Sequence, residues 1–106
     1  MKARKLNLEN YKTDAGGDYD LKKSLLFVLF HPELRLRANQ IIERLPVKDA
    51  LAKASEAVLL EEAQWVMLRD SVNGVSGFGQ DDIELIQRVL NAPQVDVGEP
   101  EPPKPS

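Results

Sequence analysis

The feature that most constrains how this chain folds is the unbroken apolar run Leu25-Leu26-Phe27-Val28-Leu29-Phe30, bounded by Asp20 upstream and Pro32 downstream. Six consecutive apolar residues leave a helix no polar face, so this segment belongs at the centre of the core. Asp20 can cap a helix start with its carboxylate, and Pro32 blocks continuation beyond about Phe30. The spacing of Leu21, Leu25, Val28 and Leu29 predicts a helix, with a buried strand over residues 25–30 as the alternative, because short apolar runs fit both. The run falls well short of the ~20 residues that cross a bilayer. With 106 residues, the chain has room for one domain and one core.

Downstream, Pro32 stands where a first helical position favours it, and Leu34, Ala38, Ile41, Ile42 and Leu45 follow at helical spacing. This is the cleanest stripe in the chain, and it predicts one helix with that face on the core and Arg35, Arg37, Gln40, Glu43 and Arg44 turned to water. Pro46 should break or kink it, and Val47, Ala50, Leu51 and Ala54 mark a short third helix. Residues 57–60 fit a short strand or the lead into a fourth helix over about 61–73, which carries Trp65, Leu68 and Val72 on one face. Asn73-Gly74 reads as its stop, with glycine in the left-handed region. The loop 74–79 leads to a fifth helix over about 81–90, with Ile83, Ile86, Val89 and Leu90 as its apolar face. Upstream, Leu6 and Leu8 alternate with polar residues and Tyr11 and Tyr19 flank the turn formers at 14–18, which predicts an extended arm or a small hairpin. The expected architecture is mainly α: an N-terminal arm or hairpin over 1–20, a core of four or five short helices over 21–92, and a proline-rich solvated tail over 93–106.

Little in the sequence can perform covalent or metal chemistry. There is no cysteine and a single histidine, His31, which excludes a disulfide framework and a cysteine-ligated zinc site and fits a cytoplasmic location. The basic start Met1-Lys2-Ala3-Arg4-Lys5 is followed by Asn7, Glu9 and Asn10 where a signal peptide needs an apolar stretch. The loop 74–79 is rich in glycine, but no lysine follows it, and Asp81-Asp82 would repel a phosphate from the next helix start. Asp81, Asp82 and Glu84 lack the ligand spacing of a calcium loop, and no serine sits in a nucleophile elbow. No catalytic, cofactor-binding or metal-ligating residue is assigned, and neither enzyme activity, a cofactor nor a small-molecule substrate is expected.

A partner macromolecule fits better. Residues 1–53 hold 11 Lys and Arg against 7 Asp and Glu, whereas residues 54–106 hold 3 against 10, a lopsided charge that can steer a partner or align copies of the chain. Leu36 lies off the core stripe between Arg35 and Arg37, and the first helix has more apolar positions than one face can bury. Aromatic and arginine side chains anchor protein interfaces, so Phe27, Phe30, Arg35, Leu36 and Arg37 are the expected partner-binding residues. The alternative is a small nucleic-acid-binding regulator. It would use the first-half cations Arg4, Lys5, Lys12, Lys22, Lys23, Arg35, Arg37, Arg44, Lys48 and Lys53, with a helix-turn-helix-like corner near Pro32 and Pro46.

In the run Lys5-Leu6-Asn7-Leu8-Glu9-Asn10-Tyr11, in Phe30-His31-Pro32-Glu33-Leu34 and in the glycine-rich lead into Asp82-Ile83-Glu84-Leu85-Ile86, the chain resembles the small cysteine-free accessory proteins of tailed bacteriophages and prophages. The likeness is one of style and length over roughly residues 5–92. It implies a non-catalytic role in particle or tail assembly, with another protein or a second copy as partner, in the cytoplasm of a bacterial host. It carries no functional residue over.

Overall fold

The computed structural model describes residues 2–96. The chain runs through strand β1 (Lys2–Asn7), a hairpin of β2 (Tyr11–Lys12) and β3 (Asp18–Tyr19), and helix α1 (Leu21–Leu29). A 3₁₀ turn (Pro32–Leu34), α2 (Ala38–Glu43), α3 (Leu45–Lys53) and strand β4 (Ala57–Glu61) follow. Helix α4 (Glu62–Gly74), a second 3₁₀ turn (Gln80–Asp82), α5 (Ile83–Leu90) and β5 (Gln94–Asp96) complete it. The fold is mixed α/β, which corrects the mainly α expectation. Its first strand is the centre of a three-stranded antiparallel sheet of order β4-β1-β5. Both neighbours of β1 lie fifty or more residues away in sequence, aligned as Leu6 with Val58 and Ala3 with Val95. Gln94–Asp96, assigned from sequence to the tail, is an edge strand instead. Residues 97–106, the rest of that tail, lie outside the described residues.

Side chains alternate across a strand. Arg4 and Leu6 on β1 and Val58 and Leu60 on β4 therefore share the face toward the helices, and Leu6, Val58 and Leu60 are buried there. Lys5 and Leu59 share the opposite, outer face, where Leu59 is exposed.

Arg4 occupies a core-facing position and becomes tolerable there through its partners. Its guanidinium lies 3.9 Å from the centre of the Trp65 ring. It donates two bonds to the Glu62 carboxylate, at 3.1 and 3.3 Å, and one to the Ala92 carbonyl at 2.8 Å. The buried Trp65 indole N–H in turn donates to the Val89 carbonyl at 2.8 Å. One cation thus ties the central strand to the start of α4 and the end of α5.

Three helices follow their sequence signals closely. The Asp20 carboxylate accepts from the Lys23 N–H at 3.1 Å, capping α1, whose Leu21, Leu25, Val28 and Leu29 are buried. In α3, Val47 and Leu51 are buried, and Pro46 sits in the first turn, where a missing N–H costs no intrahelical bond. Trp65, Leu68 and Val72 face the core on α4. Gly74 does not adopt the left-handed backbone expected of it. A Cβ there would come within 3.0 Å of the Leu34 side chain, so close packing accounts for the glycine. On α5 the buried positions are Leu85 and Val89, while Ile83 and Leu90 are exposed. The expected face is rotated: Leu85 and Val89, four residues apart, line the core side, and the helix begins at Ile83 after a 3₁₀ turn that takes Asp81 and Asp82.

The hairpin is present at residues 11–19. Tyr11 pairs with Tyr19, and their rings stack 4.6 Å apart. The Tyr11 hydroxyl donates to the Asp81 carbonyl at 2.6 Å and the Tyr19 hydroxyl to the Asp82 carboxylate, fastening the hairpin to the turn before α5. Burial, then the bond to Asp82, raises the Tyr19 hydroxyl pKa above the ordinary tyrosine value.

Trp65→Phe keeps a ring beneath Arg4 but removes the indole N–H bond to the Val89 carbonyl, which then keeps only backbone donors such as the Ala92 N–H at 3.4 Å. It should destabilise the fold by about 0.5–1.5 kcal/mol, read as a lower urea midpoint with unchanged slope. An unchanged midpoint would contradict the structural weight given to that bond.

Candidate partner-binding surface

Of the stripe expected to face the core, Leu34 packs against it, whereas Ala38, Ile42 and Leu45 are left exposed. Instead of one helix across Pro32 to Leu45, the backbone makes a 3₁₀ turn, enters the left-handed region at Arg35 (φ 52°, ψ 50°) and restarts at α2. A left-handed residue cannot continue a right-handed helix. The Gln40 side-chain oxygen accepts from the Arg37 N–H at 2.8 Å and fixes the new start. Among the described residues of α2 none is buried: Ile42 is 61% exposed, Ile41 is half-buried and Ala38 is exposed. Leu45, at the start of α3, is 39% exposed.

This shoulder is tethered at both ends. Arg44, the single residue between α2 and α3, sends its guanidinium to the Ser71 hydroxyl at 2.7 Å, and that hydroxyl donates to the Met67 carbonyl at 2.8 Å. Desolvation lowers the Arg44 pKa, and its buried Nε–H has no partner among the described residues. At the other end, the Glu33 carboxylate accepts from the Ser76 N–H at 2.7 Å and from the Ser76 hydroxyl at 3.0 Å, joining the 3₁₀ turn to the loop after α4. These bonds hold the Glu33 carboxyl below the ordinary glutamate pKa.

The turn Pro32–Leu34 separates the shoulder from a cleft of about 340 Å³ between α1 and residues 75–79. Phe27, 64% exposed, stands at its wall with His31 against it edge-on, ring centres 4.9 Å apart. Lys23, Tyr19, Phe78 and Asp82 also line it. The His31 Nδ1 accepts from the Glu33 N–H at 3.0 Å, so in the neutral ring the proton resides on Nε2. Asp82 already accepts from the Tyr19 hydroxyl and the Gly79 N–H. Among the described residues no serine hydroxyl bonds His31, and no three histidine or acidic side chains converge on metal-ligand geometry.

Of the residues expected to bind a partner, Arg35, Leu36 and Arg37 form the link from the 3₁₀ turn into α2, with both arginines exposed and Leu36 half-buried. Phe27 belongs to the cleft, and Phe30 is half-buried and packs against the core. The five do not gather at one point: they border the 3₁₀ turn on both sides. Missed from sequence were Ile42 and Leu45, whose helical spacing had argued for burial.

Several cations of the basic half serve the fold. Arg4 lies on Trp65, Lys12 pairs with Asp18 at 2.6 Å, Lys22 donates to the Ala54 carbonyl and Arg44 to Ser71. Only Arg44 separates α2 from α3, whereas a helix-turn-helix corner uses a turn of about three or four residues. Among the described residues no helix is long and apolar enough to cross a membrane. No protein-family model, curated protein or solved structure matches the chain.

The Glu33–Ser76 bonds require the carboxylate. They contribute fully above the ordinary glutamate range and are lost as pH falls through the depressed Glu33 value. The Ser76 amide resonance should therefore titrate below the ordinary glutamate pKa, and Glu33→Gln should speed Ser76 amide exchange at neutral pH. A Ser76 resonance that titrates in the ordinary range would contradict the assignment.

Proposed function

We propose that this chain is a non-catalytic protein-binding or assembly factor whose α2 shoulder receives another protein. The observation that carries the reading is the apolar stripe on and beside α2, in which Ala38, Ile42 and Leu45 are exposed and Ile41 is only half-buried. A regular amphipathic pattern commits those side chains to burial, and burying each is favourable by roughly 1.5–3 kcal/mol for a leucine-sized group. The isolated chain leaves that gain unrealised, as surfaces kept for a partner do. Exposed Arg35 and Arg37 beside the stripe supply the polar rim that gives an interface its orientation. The resemblance to accessory proteins of tailed bacteriophages supports a partner among particle or tail proteins, met in the cytoplasm of a bacterial host.

The test is affinity capture from the native source, then reconstitution of the purified partner with wild-type protein and with Ile42→Glu. At an exposed position this substitution should change stability by no more than about 0.5 kcal/mol, while weakening partner binding at least tenfold. Equal binding by the variant would overturn the reading. So would tight DNA binding whose logarithm falls steeply with log salt, the signature of a phosphate-contacting regulator.

A further inference from the structure

β4 is an edge strand, and its free side has a definite hydrogen-bonding character. Its register aligns Leu6 with Val58, and one step beyond the ladder the Leu8 N–H donates to the Glu56 carbonyl at 2.8 Å. Hydrogen-bonded pairs recur at every second residue of an antiparallel ladder. Glu56, Val58 and Leu60 therefore direct their N–H and C=O groups at β1, and Ala57 and Leu59 direct theirs away. The other side of β1 obeys the same parity, since the Lys5 N–H donates to the Pro93 carbonyl at 3.0 Å. Among the described residues nothing bonds the outward groups of Ala57 and Leu59, whereas the Glu61 N–H is taken by the Gln64 side chain at 3.0 Å. The Leu59 side chain beside them is 51% exposed. The strand contains no lysine or proline, two common means of blunting an edge.

We propose that this edge joins two copies of the chain, β4 pairing antiparallel with β4 of a second copy about a two-fold axis through Val58. In that register Ala57 of each copy faces Leu59 of the other. The four outward N–H and C=O groups of each strand are then consumed in four reciprocal backbone bonds, and Glu61 is not needed. The charges agree with it: Glu56 falls opposite Leu60 and Glu61 opposite Ser55, so no carboxylate meets a carboxylate. With pairing confined to the strand Ala57–Glu61, any other antiparallel register leaves part of the outward pair unbonded or requires the occupied Glu61 N–H. The product is a continuous six-stranded sheet with an isologous interface. The contact is independent of the α2 shoulder, so Ile42→Glu leaves it intact.

The experiment combines sedimentation across a dilution series with residue-resolved amide exchange on the full chain. The mass should rise with concentration from 11.9 kDa towards twice that value. The Ala57 and Leu59 amides should become protected in step with it, while Val58 and Leu60 stay protected throughout. Ala57→Pro removes an N–H that β1 does not use, at a first strand position that tolerates proline. It should shift the equilibrium towards monomer by about tenfold or more, with Val58 and Leu60 protection reporting that the fold persists. A monomer at every concentration overturns the proposal. So does a dimer in which the Ala57 and Leu59 amides exchange as fast as in the monomer, a result that reads on the wild-type chain even if the variant fails to fold.

Discussion

The rest of the structure depends on a guanidinium laid over an indole. Arg4 sits on the core-facing side of the central strand, where an unpaired charge would cost several kcal/mol. Its carboxylate partner Glu62 and the Trp65 ring come from the start of α4, and its carbonyl acceptor Ala92 from the chain leaving α5. The cation can be satisfied only when the first strand, the start of α4 and the chain leaving α5 have all arrived. Glu62 registers the same constraint, since its bond to Arg4, followed by that from Gln94, depresses its pKa. Burial of Leu6, Leu60 and Leu68 supplies the non-directional drive to collapse, and Arg4 selects which collapsed arrangement is accepted.

That clamp produces a body with two levels of order. Sheet, α1, α4 and α5 share the buried core, and the tyrosine hairpin is fastened to them through Asp81 and Asp82. The segment from Arg35 to Leu45 stands outside it, held by Arg44 at one end and by the Glu33–Ser76 bonds at the other. A firm scaffold presenting an under-packed helix suits the proposed binding role: the partner meets a surface already positioned, and only a short segment loses freedom on association.

Much of the helical architecture could be read from residue order because its causes are local. Asp20, the α4 stripe of Trp65, Leu68 and Val72, and the tyrosines flanking the turn act within a few residues of themselves. The sheet could not be read that way. β1 offers Arg4 where alternation calls for an apolar side chain, and its strand character comes from partners at both ends of a long sequence separation. The α2 stripe misled in the opposite direction. Periodicity reports which side chains prefer to leave water, not whether the same chain supplies the cover. The left-handed turn at Arg35, which swings that stripe off the body, has no signal in composition, since arginine is not a residue that favours it. Of the five residues expected to bind a partner, Arg35, Leu36 and Arg37 lead into α2 while Phe27 and Phe30 lie on the other side of the 3₁₀ turn, and the regular spacing of Ile42 reads as a core position.

The central claim is that the isolated chain holds α2 out of its cooperative core. Residue-resolved hydrogen exchange measures this directly, because amides report the free energy of the opening that exposes them. The amides of β1 and α4 should exchange only through global unfolding, and those of Ile41, Ile42 and Glu43 through local openings several kcal/mol cheaper. Protection across α2 equal to that of α4 would contradict the account, since the stripe would then be covered within the chain itself.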